Sequence, residues 1–388
     1  MGSSFCTGVQ SHTYVTSNLG RTTRFLVDCL GLKLEHRTVH NLNAEIGAAF
    51  FSFPAAAGAP FVAYVEWAPV FYEMPTVGLI ERDASVAATH RPAIGDPKGR
   101  FGAGTNHHLA LHVNDRAGLL KWKRWLVDKG VLVTGPYFRN YFHAIYFHDP
   151  DGAIVEIATT EPGFRHDEEV LGSGHRKPPP EALVGMRSEL EVAAEQWPEP
   201  IEAITHDMAL RGFHHITSIS SDAERTVDFL VEKIGLDLIK RTDYLDAAGT
   251  HFYYSAGQDL VPGNIITYFG LPSFPGGRLG TGLAHHFTLT ASDDTALDDW
   301  REDLLRKGVD AGAVQDRYFF REFFFHDPDG HIVSIATRPN FATGAVRTGT
   351  SGLSLPDGHE RRRGELEAFH ALHPAPTART TDVQVAVR

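Results

Sequence analysis

The chain repeats itself. Arg21-Thr22, Phe25-Leu26-Val27, Gly31-Leu32 and Arg37-Thr38 recur 204 positions on as Arg225-Thr226, Phe229-Leu230-Val231, Gly235-Leu236 and Arg241-Thr242. A second set recurs 178 positions on: His107-His108, Trp122, Lys129-Gly130-Val131 and His148-Asp149-Pro150-Asp151-Gly152 return as His285-His286, Trp300, Lys307-Gly308-Val309 and His326-Asp327-Pro328-Asp329-Gly330. One duplication read at two offsets gives the first half an insertion of 26 residues, lying within residues 70 to 95. A duplicated chain folds into like units, so the places where the copies differ are where function is sought.

Each half divides again, because His-rich alternating runs open residues 105 to 113, 211 to 219 and 283 to 291. After the strand His214 to Ile219, a helix capped by Asp222 or Ser221 carries Val227, Leu230 and Ile234 at helical spacing. His251 to Tyr254 and Asn264 to Phe269 are β-branched and aromatic and read as strands. Asp149-Pro150-Asp151-Gly152 and its twin read as tight turns. The unit is β-α-β-β-β, and the class is α+β: four such modules in two tandem halves. Residues 1–165 hold the first pair and 211–340 the second. Residues 166–210 form a linker with a helical stretch from Glu181 to Gln196, and 341–388 a tail, with Pro376 to Arg388 expected to be disordered. The insertion reads as a lid, an interface arm or a surface loop.

Thirty-six basic against forty-eight acidic residues, a formal charge of −12, disfavour nucleic acid and anionic membrane as partners. Cys6 and Cys29 are the only cysteines, too few for a disulfide framework or a cysteine metal site. No apolar run approaches the ~20 residues of a membrane helix. The cytoplasm is the expected location.

Adjacent histidines at a strand start point to opposite faces, so each pair offers one ligand and one neighbour. The repeats differ in a carboxylate: Glu156, within Ile154-Val155-Glu156-Ile157, stands opposite Ser334. A carboxylate in an apolar strand needs an ionic partner or a metal. His108 and Glu156 are therefore two ligands of one divalent metal. The third is His215 or His12; His215 aligns with Ser11, which puts His12 one step out of register, on the opposite face. Two histidines and one glutamate with open positions suit iron(II), with manganese(II) a substitute, whereas zinc would suit hydrolysis.

The modules, with their His-His and Val-Glu-Ile strands, resemble the vicinal oxygen chelate superfamily (glyoxalase-like fold), and within it the hydroquinone ring-cleaving, extradiol-type dioxygenases. The likeness rests on Phe213-His214-His215-Ile216-Thr217, Phe229, Gly235-Leu236 and Lys240-Arg241-Thr242. It extends to His107-His108, Arg139, Tyr141-Phe142, Tyr146, Glu156 and Gly163 to Glu168, with the two halves exchanged in order. The resemblance implies metal ligands at His108, Glu156 and His215. It also implies catalytic roles for His107, His214, Tyr146 and Arg139, and substrate contacts from Thr217, His107, His214 and Arg139. The implied activity is ring cleavage of a hydroquinone- or catechol-type aromatic, with a small aromatic substrate and dioxygen as partners; a homo-oligomer is expected. The alternatives are a glyoxalase-like metal-dependent lyase or isomerase, and a small-molecule-sequestering binding protein of the same fold. Tyr146 faces Phe324 in the repeat. Arg139 has a twin in Arg317, which keeps a structural reading open for both arginines.

Overall fold

A computed structural model of the chain describes residues 5–39, 46–56, 60–66, 98–139, 141–165, 194–244, 248–257, 260–272, 274–341, 346–348 and 353–370. The insertion, most of the linker helix and the stretch from Pro376 lie outside the described residues. Four modules follow one another. The first is β1 (Cys6–Thr16), α1 (Leu19–Arg24), β2 (Lys33–Val39), β3 (Gly47–Ser52) and β4 (Phe61–Glu66). The second is β5 (Asn106–Val113), α2 (Arg116–Asp128), β6 (Thr134–Phe138), β7 (Phe142–His148) and β8 (Ile154–Pro162). The third is β9 (Phe213–Ser220), α3 (Ala223–Asp228), β10 (Asp237–Asp243), β11 (Thr250–Ser255) and β12 (Ile265–Gly270). The fourth is β13 (Ala284–Ala291), α4 (Asp294–Arg306), β14 (Gln315–Asp316), β15 (Arg321–His326) and β16 (Ile332–Thr337). A short hairpin, β17 (Val346–Thr348) and β18 (Ser354–Pro356), and a last helix, α5 (Arg363–His370), close the described chain.

Each of the four module helices begins where a short polar side chain takes up an orphan amide: Asn18, Asp115, Asp222 and Asp293 accept from the third residue on. Asp222, not Ser221, is thus the cap in the third module. Both α1 and α3 run on into a wider-wound turn, and Gly31 and Gly235, at φ of 69° and 87°, end it in the left-handed region that glycine adopts without strain.

The strands form two curled eight-stranded sheets, and their order crosses the tandem halves. One runs β14-β15-β16-β13-β1-β4-β3-β2, joining the fourth module to the first; the other runs β10-β11-β12-β9-β5-β8-β7-β6, joining the third to the second. In each sheet the opening strands of two modules meet antiparallel at the centre, β1 on β13 and β5 on β9. Helix faces carrying Leu119, Trp122, Leu126, Leu297, Trp300 and Leu304 pack against the sheets, all at or near zero exposure.

The Asp-Pro-Asp-Gly turns fasten one sheet to the other. Asp151, from the second module, accepts Thr16 Oγ1 at 2.6 Å and Ser17 N at 3.2 Å and pairs with Arg21 at 2.7 Å, all in the first module. Its twin Asp329 accepts Ser220 Oγ at 2.7 Å and Ser221 N at 3.3 Å in the third. Behind them Tyr64 donates to Asp149 and Tyr268 to Asp327, at 3.1 and 3.0 Å. Asp151→Ala strands these donors, so we expect it to lower stability by about 1–3 kcal/mol. An unchanged denaturant midpoint would show the turn to be ornamental.

Candidate metal centre

Strand register brings three distant residues to one face. His108 pairs with Thr217 across the β5–β9 seam, and Ala110 pairs with Glu156 across β5–β8. His215 lies two positions before Thr217, and Ala110 two after His108. With a side-chain period of two, His108, His215 and Glu156 therefore project on the same side. His108 Nε2 lies 3.1 Å from His215 Nε2 and 2.7 Å from Glu156 Oε2, which is 3.6 Å from His215 Nε2. All three are buried, and among the described residues they form the one group of three or more His, Cys, Asp or Glu side chains that could hold a metal ion.

Burial keeps both imidazoles neutral, with pKa values lowered to about 3; the Arg139 charge adds to this at His108, while Glu156 opposes it at His215. Burial raises the Glu156 carboxyl, against the pull of His215 and Arg139. The close His108–Glu156 approach is accordingly not an ion pair. Oε2 of Glu156 has no hydrogen-bond partner although fully buried. An unpartnered buried carboxylate oxygen beside two neutral imidazole nitrogens is costly unless a cation joins them. Ligands about 2.0–2.2 Å from a metal stand roughly 3 Å apart, which these separations match. The donor set fits a divalent cation.

Neighbouring side chains set the tautomers. His214 Nε2 donates to the Thr159 carbonyl at 2.9 Å, leaving its Nδ1 to accept from His215 Nδ1 at 2.8 Å. His215 then presents the Nε2 lone pair to the site, the usual outer-shell device of a metal-ligating histidine. His107 Nδ1 lies 2.8 Å from His108 Nδ1 in the same relation. Thr267 donates to Thr217, whose Oγ1 sits 3.1 Å from His108 Nε2. Arg139 Nε donates to Tyr146 Oη at 3.1 Å, and Tyr146 donates to Glu156 Oε1 at 3.0 Å. Tyr146→Phe leaves Oε1 without its donor. We expect metal affinity to fall about 10- to 100-fold, read by metal titration; unchanged affinity would reduce Tyr146 to packing.

The triad opens onto a cavity of about 440 Å³ lined also by His107, Arg139, Phe142, Tyr146, Tyr244, His251, Tyr253 and Phe269. Of the residues marked in the sequence, His214 and Thr217 do not line it; they stand behind the triad. His12 is on the other sheet, its ring against Tyr14 and Phe213, outside the group. Sequence reading passed over His251, whose Nδ1 meets Tyr253 Oη at 2.9 Å and whose buried Nε2 has no hydrogen-bond partner. The signal was there: His251 and Tyr253 alternate along β11 on one face.

The profile of the Glyoxalase/Bleomycin resistance protein/Dioxygenase superfamily matches residues 8–157 and 212–335. The chain is 48% identical over 71 residues to "Putative ring-cleaving dioxygenase MhqO" of Bacillus subtilis (strain 168), covering 18% of this chain and 23% of that protein. It is 30% identical over 122 residues to the chlorohydroquinone/hydroquinone 1,2-dioxygenase of Sphingobium indicum, covering 31% of this chain and 38% of that protein. The matched stretches thus span well under two thirds of these relatives. In fold, it superposes on a dioxygenase structure from Bacillus subtilis, itself described as putative, with a TM-score of 0.67 at 24% identity, covering 95% of this chain and 97% of that one. Glyoxalase I from Zea mays superposes at 0.51 and 15% identity, over 85% and 92%. With the profile matching both halves, the chain belongs to the Glyoxalase/Bleomycin resistance protein/Dioxygenase superfamily.

Proposed function

We propose that this chain is an iron(II)-dependent dioxygenase that opens the ring of a hydroquinone- or catechol-type aromatic and adds both atoms of dioxygen to the product. One observation carries the reading: a buried pair of neutral imidazoles and an unpartnered carboxylate oxygen, on one face, at the floor of an aromatic-walled cavity. The names of the relatives point the same way. Two histidines and a carboxylate on one face are the donors that non-haem iron(II) oxygenases use, and manganese(II) accepts the same set. Iron(II) held there would offer adjacent positions for both reactants and a path for electron density from ring to oxygen.

The chain's own residues do the rest. Phe142, Tyr253 and Phe269 confine a planar ring in the cavity, which lowers the entropy lost in bringing it to dioxygen. Arg139 favours a deprotonated ring hydroxyl by its charge. His214 has committed both nitrogens, so proton transfer falls to His107, which faces the cavity, with His251 the second candidate. His214 is then a positioning residue for His215.

Oxygen uptake by anaerobically purified protein, with and without added iron(II), over a panel of hydroquinones and catechols, tests the proposal. The expected result is one dioxygen consumed per diphenol, dependent on the metal. Stoichiometric metal with no uptake on any diphenol would overturn it.

A further inference from the structure

The other sheet contains a second cavity, open on one side to solvent, at the place equivalent to the candidate metal centre. Its lining includes His286, the counterpart of His108, and Arg317, the counterpart of Arg139. The other two ligand positions have become Ser11 and Ser334, and both hydroxyls donate to Thr288, at 3.0 and 2.7 Å. A hydroxyl cluster has replaced the metal donors. The space has not been filled.

A carboxylate has returned at a different position. Glu322, on β15 where the second module has Ala144, is 1% exposed and lines the cavity. Arg317 Nε donates to its Oε1 at 2.7 Å, while Oε2 is buried with no hydrogen-bond partner. Burial raises the Glu322 carboxyl against the pull of Arg317, and the nearby Ser334 hydroxyl gives its proton to Thr288. A second unpartnered group, Thr38 Oγ1, also belongs to the lining. The walls are aromatic: Phe50 stands 5.7 Å from Phe61 and 5.6 Å from Phe319, and Phe61 stands 5.9 Å from Phe320. On the rim, Tyr318 is held at φ 69°, a conformation strained for an aromatic residue.

We propose that this cavity is a second, metal-free binding site for a neutral monocyclic phenol, whose ring lies among Phe50, Phe61 and Phe319 and whose hydroxyl donates to Glu322 Oε2. A buried acceptor without a protein donor gains a hydrogen bond from a ligand hydroxyl placed against it. Arg317 already balances the Glu322 charge, so an ionised ligand would add a net buried charge, whereas a neutral phenol adds none. Edge and face contacts among the phenylalanines favour an aromatic ring over an aliphatic alcohol. The site does not depend on the metal or on ring cleavage at the other cavity.

The test uses full-length metal-loaded protein and 4-bromophenol under anaerobic conditions. Bromine anomalous scattering from a soaked crystal is expected to place one bromine in the second cavity. Ala63→Leu, which fills the lining, should remove that peak, and Glu322→Gln should weaken binding there at least tenfold by calorimetry. A wild-type crystal with bromine at the metal centre alone, or nowhere, overturns the proposal, as does a second-cavity peak that survives Ala63→Leu with unaltered affinity in Glu322→Gln. The wild-type crystal decides the matter even if neither variant folds.

Discussion

Glu156→Ala is expected to strip the metal, lowering its affinity by more than about 100-fold, since loss of a ligand exceeds the roughly 10- to 100-fold lost with an outer-shell partner. Ring-cleaving activity should go with it. His286→Ala, at the equivalent place in the other sheet, should leave metal content unchanged, because its neighbours there are Ser11 and Ser334 rather than ligands. Stability should move the opposite way. Without metal, Glu156 buries an oxygen with no partner, and burial already raises its pKa. The isosteric Glu156→Gln removes that charge, so metal-free Glu156→Gln should melt no lower than the metal-free parent. Metal content by elemental analysis and melting of the metal-free proteins read both effects. Equal metal loss in Glu156→Ala and His286→Ala, or none in either, defeats the assignment.

Acid should unfold the protein well before most carboxylates are protonated. Away from the metal centre, burial lowers His12 and His285 to about 3 and His112 to about 4, and holds His286 well below its ordinary 6.5. Unfolded, each takes up a proton near pH 6.5. A depressed histidine therefore adds nothing above that pH and destabilises progressively as pH falls toward its folded value. Asp149, raised by burial to about 6, and Glu322, also raised by burial, act in the reverse sense over the same window. Four histidines against two carboxyls leave a net uptake of at least about two protons on unfolding, to which His108 and His215 add in the metal-free protein, or at least about 3 kcal/mol per pH unit. Between pH 6 and pH 4 that removes about 6 kcal/mol, comparable to the lower end of a typical margin of about 5–15 kcal/mol. Melting of the metal-free protein from pH 7.5 down to 4 measures this; a flat midpoint to pH 4 would mean that the buried histidines titrate normally.

Much was legible before any coordinates. The two offsets exposed the duplication, and the module pattern named the fold class, because hydrophobic period and turn chemistry are local. Glu156 stood out because burying a carboxylate in an apolar strand demands a reason, and counting positions favoured His215 over His12, since one step of register changes the face of a strand. In the later repeat the position of Glu156 holds Ser334, and a buried acid stands elsewhere. Glu322 is such an acid, but it sits at the end of β15 next to Arg321, where sequence gives no sign of burial. Only the approach of Arg317, five residues back across the turn, makes it tolerable there.

By itself the sequence determined the unit, its repetition and which residue types stand at each strand position, since these follow from steric and hydrophobic preferences a few residues long. Tertiary structure alone decided which opening strands lie side by side, that His214 turns its outer nitrogen to the Thr159 carbonyl instead of the cavity, and that His251 lines the cavity beside the triad from β11. Those outcomes depend on contacts between segments tens to hundreds of residues apart, where direction and distance are set by how the sheets curl and pair rather than by any neighbour in the chain.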